Sequence, residues 1–361
     1  MSDEEVVFYP QAEETPEEKQ SLEPGFRSIC TRIGLVMIVT FVSRVVAEIA
    51  GVPIMMSPFY YEISPAMRQL INFALSAVFL NFVPMVSAVF ILKHPFKSAG
   101  KRVYEKPKYL GRALAMFPAC YGLAMAVNIL TMLVGSLFQG TAVGDSFNAM
   151  QDAFVAPDMA SAWIVFIQVA IFAPICEELW FRGLIMESLR PYGNGFAIFI
   201  SAILFGITHG NFAQFFYAAT LGIVLGYLAV STNSIVTTTI IHAMFNSIAG
   251  IMTLLTANPE VQEYVLGMGD TKNKHIPTPV MLYNAWATFV LILLLAGVIM
   301  AIFKLVKIKR YKVPKVQTEI SAPRRWGIFL SRATVIVTLV LAVLTFISPF
   351  IYRKIAEIIN A

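Results

Sequence analysis

The chain of 361 residues is 57% hydrophobic and 14% charged, with a mean hydropathy of +0.70. Soluble domains run near 45–50% apolar and about 25% charged, so an ordinary soluble protein is excluded. The net charge of +5 is no nucleic-acid signal, because the bases gather in two loops between apolar runs, the pattern of membrane orientation.

Residues 1–27 carry eight acids against Lys19 and Arg27, which reads as a solvated, disordered tail. No basic n-region or small-residue cleavage site precedes an early apolar run, so no signal peptide is expected. Apolar runs near 28–50, 66–92, 110–138, 160–181, 195–209, 212–230, 234–255, 281–303 and 328–351 follow. About 20 residues is the length that crosses a bilayer core as a helix. The expectation is an all-α, polytopic membrane protein of about nine transmembrane helices, the fourth continuing to about 190. The fifth run is short enough to be re-entrant. Cys30, Cys120 and Cys176 lie in or beside these runs and read as small apolar residues, not as a disulfide framework.

Loop charge sets the orientation. The 93–112 loop holds Lys93, Lys97, Lys101, Arg102, Lys106, Lys108 and Arg112, and the 304–327 loop is similarly basic. The 139–159 loop holds Asp145, Asp152 and Asp158 and no base. With nine spans both basic loops are cytoplasmic, the N-terminus is inside and the C-terminus outside. Orientation explains the Lys307–Lys315 bases without a lipid site.

Ionisable side chains at bilayer depth are costly, and each is a functional hypothesis. The stretch Ala173-Pro174-Ile175-Cys176-Glu177-Glu178-Leu179-Trp180-Phe181-Arg182-Gly183 puts two carboxylates and an arginine in the fourth run. Glu178 and Arg182, four apart, share a helix face and can pair as a clamp between helices. Glu177 points about 100° away, and one arginine does not satisfy two acids, so it is free to move a proton. Pro174, one turn earlier, is placed to kink the helix.

Of four histidines, His94 and His275 fall in loops. The others are intramembrane: Phe205-Gly206-Ile207-Thr208-His209 and His242-Ala243-Met244-Phe245-Asn246. A lone buried histidine is more often structural, but two on separate spans beside a glutamate-bearing helix shift that balance. His242 and Asn246 share a face and can donate to one polarised carbonyl oxygen, while His209 can share a water with Glu177. Gly222 and Gly226 form a helix-packing motif, and Gly206 and Gly210 permit close approach or a kink. P-loop, H-E-x-x-H, G-x-S-x-G and cysteine-pair metal motifs are missing from the sequence, which withdraws support from enzymes built on them.

The ordered set E-E-x-x-x-R, F-x-x-x-H and H-x-x-x-N resembles the CAAX protease and bacteriocin-processing family, also called Abi or type II CAAX prenyl endopeptidases. It stands here as Glu177 to Arg182, Phe205 to His209 and His242 to Asn246, covering roughly 160–255. The domain reading is an acidic cytoplasmic tail (1–27), N-terminal transmembrane helices (28–159), a catalytic core in helices four to seven (160–255), and a C-terminal loop with two helices (256–361).

The resemblance implies an intramembrane endopeptidase. Glu177 and His209 would activate water, His242 and Asn246 would form the oxyanion hole, and Glu178 and Arg182 would hold the geometry. No metal is expected; the alternative is zinc on Glu177, His209 and His242, three ligands with an open water position. Asn246 is then hard to place, because an amide is an uncommon zinc ligand. The expected partners are a membrane-associated peptide or protein substrate and the lipid bilayer of a bacterial plasma membrane. A non-catalytic immunity or scaffold protein keeps the same fold. A proton-coupled transporter is disfavoured, because the polar residues crowd into runs four to seven and do not repeat in both halves.

Overall fold

The computed structural model describes residues 22–93, 106–138, 156–267, 276–307, 313, 316 and 318–359. His94, His275, several bases of the two basic loops, Asp145 and Asp152, and the tail up to residue 21 lie outside the described residues. Among the described residues every regular element is helical.

Each of the nine expected apolar runs falls on a helix. These are α1 (Glu23–Met56), α2 (Pro65–Ile91), α3 (Leu110–Ser136), α4 (Met159–Tyr192), α5 (Asn194–Thr208), α6 (Phe212–Thr232), α7 (Ile235–Thr256), α8 (Thr278–Val306) and the pair α9 (Ala322–Leu330) and α10 (Ala333–Ile359). Seven of these, α1 to α4 and α6 to α8, are long and apolar enough to cross a membrane. The α9–α10 pair, bent by 69°, makes an eighth if it is one span. At about 1.5 Å per residue α5 is roughly 22 Å long, short of a hydrocarbon core of about 30 Å.

Local chemistry sets the helix starts. Asp158, Asn211 and Ser234 are N-caps of α4, α6 and α7, accepting from the backbone N–H groups of Ser161, Gln214 and Thr237. Where neighbours give no cover, the faces are apolar. Leu282, Phe289, Ile292, Leu295 and Ile299 of α8 are exposed at helical spacing, the stripe that lipid would cover.

Packing is nested. α10 lies against α1 and α8 against α3, with α4 to α7 between them in sequence. Thr334 and Thr338 donate to the carbonyls of Thr31 and Gly34, joining α10 to α1 at 2.9 and 3.1 Å. α3 and α8 meet backbone to backbone: a Cβ on Gly122 would stand 2.1 Å from the carbonyl carbon of Gly297. The packing reading of Gly222 and Gly226 agrees with their contacts, since added Cβ atoms would meet Ala202 and Ile198 of α5 at 2.9 and 3.0 Å. α5 and α6 therefore form a tight hairpin whose tip is His209–Asn211.

The fourth run continues as a helix to Tyr192, as expected, but is not α-helical throughout. Ile167–Phe172 and Glu178–Met186 are π-helical, with the α-helical turn Ala173–Glu177 between them. Such widened turns are frequent at functional sites.

Candidate active site

Glu177 closes an α-turn and Glu178 opens a π-segment, and they part company there. Glu178 is wholly buried, and its Oε1 is shared by two groups. The Arg182 guanidinium, also 0% exposed, lies 2.8 Å from it, and His242 Nδ1 lies 3.0 Å away. The clamp expected between Glu178 and Arg182 is present, and it has a third member from α7. Arg182 also reaches back to α6, donating to the Gly222 carbonyl at 3.4 Å.

Glu177 faces the other way. Its side chain is 21% exposed and lines a cavity of about 330 Å³ with His209, His242 and Asn246. Its nearest imidazole is His242, with Nε2 3.7 Å from Glu177 Oε2. His209, expected to share a water with Glu177, stands on the same cavity wall and hydrogen-bonds its own helix. His242 thus stands between the two acids, one ring nitrogen toward each.

The partners fix tautomers. A carbonyl and a carboxylate can only accept, so His209 Nδ1 donates to the Phe205 carbonyl at 2.9 Å and His242 Nδ1 donates to Glu178. In a neutral ring each Nε2 is then a lone pair.

Asn246 Nδ2 donates to the Val169 carbonyl at 2.8 Å. The cause lies in α4. The N–H of Ala173 is bonded to Gln168 in π register, and the next residue, Pro174, has no N–H. Val169 is left without a helical donor, and α7 supplies one. The helix break expected at Pro174 thus takes the form of a π-turn and an inter-helix hydrogen bond.

Phe205 is the hub. Its ring centroid is 4.7 Å from the Arg182 guanidinium carbon, and it meets the His209 and His242 rings edge-on at 4.9 and 5.7 Å. The aromatic in F-x-x-x-H packs against all three charged or polar elements, a role that spacing alone does not reveal.

Sequence reasoning passed over Arg44, an ionisable residue inside an apolar run to which the rule applied to Glu177 extends, and Asn128, a neutral polar residue inside another. Arg44 of α1 donates to the Thr208 carbonyl at 3.2 Å, capping α5 one residue before His209. Asn128 of α3 lines the cavity, as do Gln214 and Tyr217 of α6.

Among the described residues no group of three or more His, Cys, Asp or Glu side chains is placed to hold a metal ion. The Glu177, His209 and His242 set thus does not fit a zinc site as placed, and no step below is routed through a metal.

Adjacent acids, two imidazoles and an amide thus meet around one cavity of a helical membrane bundle. Residues 159–248 match the family model described as Type II CAAX prenyl endopeptidase Rce1-like. The match runs from the start of α4 well into α7 and includes every site residue from Glu177 to Asn246. No curated protein and no solved structure matches the chain. With the apolar helices, this match over part of the chain supports a membrane endopeptidase in general.

Proposed function

We propose that the protein cleaves a peptide bond of a membrane-associated protein or peptide by a glutamate-dependent, metal-free attack of water. The observation that carries the reading is the division of labour between Glu177, open to the cavity, and Glu178, sealed behind it. A water among Glu177, His209 and His242 loses its proton to Glu177, and the hydroxide adds to the scissile carbonyl. His209 Nε2, a lone pair in the tautomer its Phe205 bond selects, accepts from the same water and aims it.

The tetrahedral oxygen is met by His242 and Asn246. Donation from His242 Nε2 requires the imidazolium form, since Nδ1 already donates to Glu178. That form also balances the buried charge, with Glu177 and Glu178 against Arg182 and His242. Asn246 spends one N–H on Val169 and keeps the other for the oxyanion. Glu177 then returns its proton to the leaving amine. Glu178, Arg182 and Phe205 touch no reacting atom; they position the imidazole.

The orientation read from loop charge, with the N-terminus cytoplasmic, belongs to this proposal, as does a bacterial plasma membrane. The test is cleavage of a panel of membrane-associated peptides by metal-stripped protein in liposomes. Activity that survives chelation and vanishes in Glu177→Gln is the expected result. Activity lost on chelation and restored by zinc overturns the metal-free step. A Glu177→Gln protein that keeps its cellular phenotype favours the scaffold reading.

A further inference from the structure

The cavity has a wall outside the matched segment. α3 contributes Met125 and Asn128, three residues apart on one helix face. The polar groups on the α6 wall are already engaged: Gln214 Oε1 accepts from Asn211 at 2.8 Å, and Gln214 Nε2 reaches Tyr217 Oη at 3.5 Å. Asn128 differs. Its Oδ1 is buried and accepts no hydrogen bond among the described residues. A buried acceptor left without a donor is destabilising, and Asn128 lines the cavity, so a turn of its amide offers Oδ1 to a donor bound there.

We propose that Asn128 is a substrate-positioning residue whose Oδ1 accepts a backbone N–H of the bound peptide. This rests on the endopeptidase reading and narrows the substrate class. In a continuous transmembrane helix every interior N–H is already bonded to the carbonyl four residues earlier. The main chain can satisfy Asn128 only where it is locally unwound or extended, with at least one free amide. Within a bilayer a free amide is costly, so a matching acceptor rewards unwinding at the site and nowhere else. The carbonyl of that unwound segment is then free to meet water at Glu177. Asn128 holds the main chain from α3 while α4 and α7 do the chemistry.

The test uses the full-length Glu177→Gln protein in liposomes, so that bound peptide is not consumed. Fluorescein-labelled peptides from the membrane-associated panel are screened for binding, and a binder is remade as a scan with one backbone amide N-methylated at a time. One position is expected to lose about tenfold in affinity. Asn128→Leu should impose a similar loss on the unmodified peptide and show no further loss at that position. Asn128→Asp, which keeps an acceptor oxygen at the same reach, should retain the sensitivity. A methylation pattern indifferent to Asn128→Leu overturns the proposal, and so does failure of every peptide to bind. Cleavage by the wild-type chain is read on the same peptides. The single-position pattern without Glu177-dependent cleavage sustains Asn128 and overturns the protease. Glu177-dependent cleavage with a pattern blind to Asn128 does the reverse.

Discussion

Two carboxylates joined by one peptide bond occupy opposite environments in this protein. On one side of α4, Glu178, Arg182 and His242 form a sealed cluster at 0%, 0% and 2% exposure. On the other, Glu177 shares an open cavity with His209 and Asn246. Residue type does not separate the two acids, since both are glutamates in the same apolar run. What separates them is which helix face each takes and what lies opposite. In the proposed mechanism the sealed side orients and the open side reacts, and His242 reaches both acids.

The largest test of this contrast is Glu177→Gln. The rate should fall by roughly 10²–10⁴, while the thermal unfolding midpoint stays within a degree or two of wild type. A marked loss of stability would make Glu177 part of the sealed cluster and erase the distinction. Arg182→Met should do the opposite, leaving a buried carboxylate without its cation. A destabilisation of about 3–5 kcal/mol is expected, read as unfolding in detergent by denaturant or heat.

A third change probes the seam between the two sides. Asn246→Leu strips the Val169 carbonyl of its donor and should cost about 1–3 kcal/mol of stability, with a rate loss of about 10²–10³. Pro174→Ala returns an N–H to α4 where the helix lacks one. In that background the stability cost of Asn246→Leu should shrink, while the rate loss should not. Additive stabilities would break the link drawn between Pro174 and Asn246.

The smallest effect belongs to a control remote from both sides. Asp158 caps α4, and its hydrogen bond from the Ser161 backbone N–H holds its carboxyl below the ordinary range. A lowered folded-state value means that the contribution is complete above the unfolded value and fades as pH falls through the folded one. Asp158→Ala should cost about 1 kcal/mol near neutrality, and the gap from wild type should close in acid.

Much of this was legible in the sequence, and the reasons are local. The i, i+4 pairing of Glu178 with Arg182 follows from helix geometry and is found at 2.8 Å. The expectation that Glu177 faces elsewhere rests on the same geometry. What could not be read is what depends on a second helix. That His242 reaches Glu178 with Nδ1 is set by how α7 lies on α4. The π-turns of α4 have no sequence period of their own, and Val169 carries no polar side chain to draw attention. Asn128 and Arg44 were visible in principle, but their runs lay outside the motif-bearing stretch.

The nested pairing of α1 with α10 and α3 with α8 has a consequence in time. A ribosome makes Gly122 long before Gly297, and at about 5–20 residues per second the interval is roughly ten to thirty seconds. Every motif-bearing helix is made within it and complete before it ends, yet until Gly297 arrives the glycine face of α3 has no partner and the wall bearing Asn128 has no backing. A hydrolase assembled in this order is not finished when its chemistry has been made. It is finished when the helices that carry none of that chemistry arrive.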